Sequence, residues 1–150
     1  MSKLETILLA TDGSRASEGA SDEAIDLAIQ VGARLLVVSV LAGAASRPAG
    51  STGEAVGPAD SRDTLTTKAQ ALAQRAKAAG CDATFLVWDG EPGEAIVAAA
   101  DSENADLIVV GSHGRSGVSR FLIGSVSDFV VRHAHCPVMV VRGRLDGARH

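Results

Sequence analysis

An alternation constrains this chain more than any single motif does. Short runs of aliphatic and β-branched residues occur at Ile7-Leu8-Leu9-Ala10, Leu35 to Leu41, Ala83 to Trp88, Leu107 to Val110 and Val138 to Val141. Between them lie longer segments whose apolar residues recur every three or four positions. Runs of that length bounded by turn formers read as strands, and the longer period reads as helices with one buried face. Strand following helix following strand implies right-handed crossovers, and hence a parallel sheet covered by helices on both sides.

The helices carry their own punctuation. Ala20, Ala24, Leu27, Ala28 and Val31 mark a helix from about Arg15 to the stop at Gly32. Leu65, Ala69, Leu72, Ala73 and Ala76 mark a second that ends at Gly80. Pro92 suits the first turn of a third, containing Ala95, Ile96 and Ala99, because proline lacks an N–H that this position would leave unpaired anyway. Val126, Phe129 and Val130 mark the last, from Ser125 to His133. The palette agrees: 46% of residues are hydrophobic but only 3% aromatic, as expected for buried strands covered by small-residue helices.

The whole length, 1–150, reads as one domain. Residues 42–60, rich in Gly, Pro and small side chains without hydrophobic period, are expected to form a flexible loop, and 143–150 a flexible tail. No apolar run approaches the roughly 18 residues that cross a bilayer, and the start of the chain leads straight into the first strand, so a cytoplasmic protein with no membrane partner is expected. Cys81 and Cys136 follow no metal-ligand spacing and read as two reduced thiols used as small hydrophobes. Trp88 reads as core or edge packing.

The net charge of −4 argues against nucleic acid as a partner. It is unevenly spread: residues 1–110 carry 8 basic and 16 acidic side chains, residues 111–150 carry 6 basic and 2 acidic. An anion therefore prefers the C-terminal part, although charge alone is equally the mark of a solvated face.

In open sheets of this kind ligands bind beyond the carboxyl ends of the strands, where the strand order reverses. After the fourth strand the chain reads Gly111-Ser112-His113-Gly114-Arg115-Ser116-Gly117, and continues to Gly124-Ser125-Val126-Ser127 at the start of the last helix. Glycine lets backbone N–H groups approach a phosphate with no Cβ in the way, and a helix N-terminus adds free donors and a positive dipole end. Ser125 and Ser127 offer hydroxyls. The competing reading makes Gly111 and Gly114 a plain turn and pairs Ser125 with Asp128 as a helix cap. His113 is a phosphate contact or a solvent-facing loop residue rather than a catalyst. Arg115 and Arg120 either screen phosphate charge or are solvated.

This pattern, two residues and then nine between glycines followed by Gly-Ser, resembles the ATP-binding branch of the universal stress protein family. The resemblance extends to Ile7 through Ser14, to Gly90-Glu91-Pro92, and to the ending His133-Ala134-His135-Cys136-Pro137-Val138-Met139-Val140-Val141. It implies a doubly wound five-stranded parallel α/β sheet of order 3-2-1-4-5, similar to the adenine nucleotide alpha-hydrolase and Rossmann arrangements. ATP would lie across the ends of strands 1, 2 and 4. Asp12, flanked by Ala10 and Thr11, would face the ribose or metal region, and the backbone of Val40 would meet the adenine. Gly111, Ser112, His113, Gly114, Arg115, Gly124, Ser125, Val126 and Ser127 would surround the phosphates, with Mg held through the phosphates and no direct protein ligand. The resemblance also implies a homodimer through Val138, Met139, Val140 and Val141, which would cover an otherwise open apolar edge. Ser39 departs from the common pattern, in which His precedes the adenine-contacting residue.

Two functions follow. One is a nucleotide-dependent stress-response or signalling module, read by an unidentified protein partner. The other is a slow ATP hydrolase or a nucleotidyl-transferring enzyme. The chain lacks Gly-x-x-x-x-Gly-Lys-Ser/Thr, lacks Gly-x-Gly-x-x-Gly after strand 1, and lacks Ser-Gly-Gly-x-Asp-Ser, which favours the module. A receiver-type phosphorylation switch finds only faint echoes in Asp12 and Asp89.

Overall fold

The computed structural model describes residues 4–12, 18–41, 62–112 and 125–142. They form β1 (Thr6–Ala10), α1 (Glu18–Val31), β2 (Arg34–Leu41), α2 (Arg62–Ala78), β3 (Ala83–Asp89), α3 (Pro92–Ser102), β4 (Leu107–Gly111), α4 (Ser125–His133) and β5 (Val138–Val141). The strands make one five-stranded sheet of order β3-β2-β1-β4-β5, and all four pairings are parallel. The order expected from the resemblance is the order observed. The expected loop at 42–60 and tail at 143–150 lie outside the described residues.

Alternate residues of each strand face opposite sides of the sheet, so each side acquires its own core. Ile7, Leu9, Leu35, Val37, Leu107 and Val109 point to the side of α1 and α2, where Ala20, Ala24, Ala28, Ala69, Ala73 and Ala76 close over them. Leu8, Leu36, Val38, Ile108 and Val110 point to the other side, against Ile96, Ala99 and Ala100 of α3 and Val130 of α4. Burial on both faces explains why the central strands β1, β2 and β4 are mostly apolar. Trp88 packs at the edge of the second core, as its position in the third run suggested.

Residues that stop the helices do so through backbone conformation. Gly32 (φ 71°) and Gly80 (φ 103°) follow α1 and α2 in the left-handed region, which a Cβ disfavours. After α3 the same conformation is taken by Asn104 (φ 56°), whose short polar side chain tolerates it. At the amino ends of the strands, the Asp106 carboxylate accepts from the backbone N–H groups of Glu5 and Thr6, each at 3.0 Å, and locks β4 beside β1.

α3 and α4 meet without space for even one extra carbon. A Cβ built on Gly93 would stand 2.8 Å from the Phe129 ring. Gly93→Ala is therefore expected to destabilise the fold by about 1–3 kcal/mol, the usual range for overpacking a tight contact. Urea denaturation measures this, and adding Phe129→Leu should recover part of the loss.

Both cysteines are free. Burial pushes the Cys81 thiol above its ordinary range, and the neighbouring Asp82 charge adds to this. Cys136 is raised first by burial and then by Asp101 and Asp106. A raised thiol stays protonated at neutral pH, so native protein should be alkylated more slowly by iodoacetamide than denatured protein, with the rate climbing as pH rises. No helix among the described residues is long and apolar enough to cross a membrane.

Candidate functional site

β1 lies between β2 and β4, and the chain leaves these strands in different directions. From β1 it proceeds to α1 on one face, whereas from β4 it proceeds to α4 on the other. In open sheets of this kind, the carboxyl ends of two neighbouring strands that send the chain to opposite faces are where a ligand crevice is expected. This is the reversal point inferred from the alternation of elements.

The β1 side of the crevice is built by Ala10, Thr11 and Asp12. Ala10 ends the strand and is buried in the second core, while Thr11 and Asp12 emerge half-buried beyond it. Two hydrogen bonds to β2 hold this exit. The Thr11 N–H donates to the Val38 carbonyl at 3.0 Å, and the Ser39 hydroxyl donates to the Thr11 carbonyl at 2.9 Å. Ser39 is buried, with 2% of its surface exposed. The next residue on β2, Val40, is half-buried and packs at the rim of the second core near Leu86 and Trp88.

The β4 side is built by Gly111 and Ser112. Gly111 ends β4 opposite Val141, and the Ser112 N–H donates to the Val141 carbonyl at 2.8 Å. Beside the end of β4 stands the start of α4, with Ser125 exposed, Val126 half-buried and Ser127 buried. The Ser127 hydroxyl donates to the Gly111 carbonyl, tying the first turn of α4 to the end of β4. That contact occupies its single O–H. The Asp128 carboxylate accepts from Arg132 at 2.9 Å, one turn along the same helix.

Of the residues singled out from the sequence, Ala10, Thr11, Asp12, Val40, Gly111, Ser112, Ser125, Val126 and Ser127 are thus gathered along the carboxyl ends of β1, β2 and β4 and the start of α4. His113, Gly114, Arg115, Arg120 and Gly124 lie outside the described residues. Val138, Met139, Val140 and Val141 form β5 at one edge of the sheet, all half-buried, paired with β4 on one side. Among the described residues, no group of three or more His, Cys, Asp and Glu stands together to hold a metal ion.

Two contacts escaped the sequence reading, namely Ser39 to Thr11 and Ser127 to Gly111. The first had a signal. A hydroxyl inside Val37-Val38-Ser39-Val40-Leu41, a run buried on both faces, must find a partner, because a buried polar group without one is costly.

Residues 3–142 match the universal stress protein family. Over 144 residues the chain is 39% identical to a universal stress protein of Thermus aquaticus, covering 92% of this chain and 98% of that one. A solved universal stress protein in complex with cAMP superposes with a TM-score of 0.70 at 30% identity, covering 93% of this chain and 98% of the other. Another, from Archaeoglobus fulgidus in complex with dAMP, superposes with a TM-score of 0.64 at 25% identity, covering 93% and 99%.

Proposed function

The chain belongs to the universal stress protein family, and from that premise we propose that it is a single-domain ATP-binding member acting as a nucleotide-dependent module rather than an enzyme. One observation carries the proposal: Thr11-Asp12, Val40, Gly111-Ser112 and the first turn of α4 converge at the point where β1 and β4 send the chain to opposite faces. The two solved relatives carrying cAMP and dAMP support an adenine nucleotide as the occupant.

The chemistry of the donor set fits a phosphorylated ligand. A helix N-terminus offers backbone N–H groups with no partner inside the helix and the positive end of the helix dipole, which together favour an anion, and α4 starts at this end of the sheet. The excess of 6 basic over 2 acidic side chains in residues 111–150 acts in the same sense. Gly111, Ser112, Gly114, Gly124, Ser125, Val126 and Ser127 would hold the phosphates, with His113 and Arg115 beside them, while Ala10, Thr11 and Asp12 would border the ribose and Val40 the adenine. Mg would be reached through the phosphates. The module works as a cytoplasmic homodimer through β5, its nucleotide-bound and free forms being distinguished by a protein partner.

Amide chemical-shift mapping tests the placement. ATP with magnesium should shift Thr11, Asp12, Val40, Gly111, Ser112 and Ser125 to Ser127, and leave Asn104, at the opposite end of the sheet, unmoved. Shifts confined to other residues, or none at saturating ATP, would reject it.

A further inference from the structure

Strand β1 does not end because its neighbours end. β2 continues past the last paired residue, through Ser39, Val40 and Leu41, still in register with β3 as far as Leu41 and Asp89. Beyond the pair Ala10 and Val38, one backbone bond persists, from Thr11 N–H to Val38 O at 3.0 Å. A continuing parallel ladder would next present a backbone N–H of β2 to the Thr11 carbonyl. At that position the carbonyl instead receives the Ser39 hydroxyl at 2.9 Å.

We propose that Ser39 is a positioning residue for the ligand site, its buried hydroxyl fixing where Thr11 and Asp12 leave the sheet and so setting the width of the crevice on its ribose side. The proposal rests on the adenine-nucleotide reading and deepens it. The side-chain hydroxyl takes the place of the next backbone donor of β2 at the Thr11 carbonyl. Burial makes the bond effective: at 2% exposure, water cannot readily replace the donor for the Thr11 carbonyl. Ser39 itself would touch no ligand. It acts through the Thr11-Asp12 backbone, one strand away, immediately before the residue proposed to border the adenine.

The consequence is selective. Loosening the exit of β1 weakens whatever binds the nucleoside part, and leaves the phosphate grip at β4 and α4 intact. Titration calorimetry of the full chain with adenosine and with ATP and magnesium, on wild type, Ser39→Ala and Ser39→Thr, tests this. Ser39→Ala should lose about five- to tenfold in affinity for both ligands by the same factor, as for one buried hydrogen bond. Ser39→Thr, which keeps the hydroxyl and suits a strand, should recover most of the loss. Amide exchange at Thr11 should accelerate in Ser39→Ala alone, and circular dichroism should show all three proteins folded.

Wild-type affinities in folded Ser39→Ala overturn the inference and leave the nucleotide reading standing. Equal losses in Ser39→Ala and Ser39→Thr overturn it as well, since packing and not the hydroxyl would then matter. A folded wild type that binds neither ligand removes the nucleotide reading, and this inference with it.

Discussion

Replacing Gly114 and Gly124 together by valine is expected to weaken ATP binding by more than about a hundredfold, while changing the melting temperature by no more than a few degrees. The magnitude follows from what a phosphate site on a glycine-rich stretch consists of. Backbone N–H groups that reach a charged oxygen contribute about 1.5–3 kcal/mol each, and a branched Cβ restricts the conformations that present them and crowds the approach. Losing two such donors multiplies to several hundredfold. Stability should be spared, because among the described residues both cores are assembled from the strands and the four helices. ATP affinity within threefold of wild type in the double variant would make the glycines structural, and would favour the turn-and-cap reading of this stretch.

The second large effect concerns assembly. In a parallel ladder each residue sends both its backbone groups to the same side, and successive residues alternate. Pro137 and Val141 offer their carbonyls to Ile108 of β4 and to Ser112 just beyond it, so Met139 faces β4 with them while Val138 and Val140 direct their N–H and carbonyl groups to the outer edge. Val140→Pro therefore removes an outward donor without breaking the β4 pairing, at an edge where proline is tolerated. If the protein dimerises through β5, a two-fold interface loses this donor twice and gains two rings that obstruct approach. Dissociation should strengthen by about 30-fold or more, from roughly 1 kcal/mol per lost bond and some added steric cost. Light scattering should show a dimer for wild type and a monomer for the variant at low micromolar concentration, with the circular dichroism of the fold retained. An unchanged dimer would place the interface elsewhere, and a monomeric wild type would remove the homodimer altogether.

The fold was legible because each strand has the simplest possible pattern. Leu8, Leu36 and Ile108 face one core while Leu9, Val37 and Val109 face the other, so the central positions are almost all apolar and the runs are unmistakable. Gly32, Gly80 and Pro92 then marked helix ends by conformational preference alone. Strand boundaries shifted where backbone pairing continued beyond the apolar run: Thr6 and Arg34 extend the starts of β1 and β2 because they pair with each other, Asp89 extends β3 because it remains opposite Leu41, and Gly111 extends β4 because it pairs with Val141.

Other features were not legible, and for one physical reason. The contact of Ser39 with Thr11 joins residues 28 apart in the chain, and that of Ser127 with Gly111 joins residues 16 apart. The close approach of Gly93 to Phe129 depends on how α3 and α4 pack side by side. Local pattern says that Ser39 and Ser127 need partners, yet the partner is chosen by the arrangement of strands and helices. Gathering Thr11, Asp12, Gly111 and the first turn of α4 at one end of the sheet likewise required β1 and β4 to be neighbours, which the alternation of elements permits and the observed strand order establishes.

Titration calorimetry of the purified full chain with ATP and magnesium, set against GTP and magnesium under the same conditions, tests the central claim most directly. Saturable binding of one ATP per chain, at least tenfold tighter than GTP, is the predicted result. Absence of any saturable heat with ATP, in protein that circular dichroism shows folded and that releases no nucleotide when denatured, would contradict it.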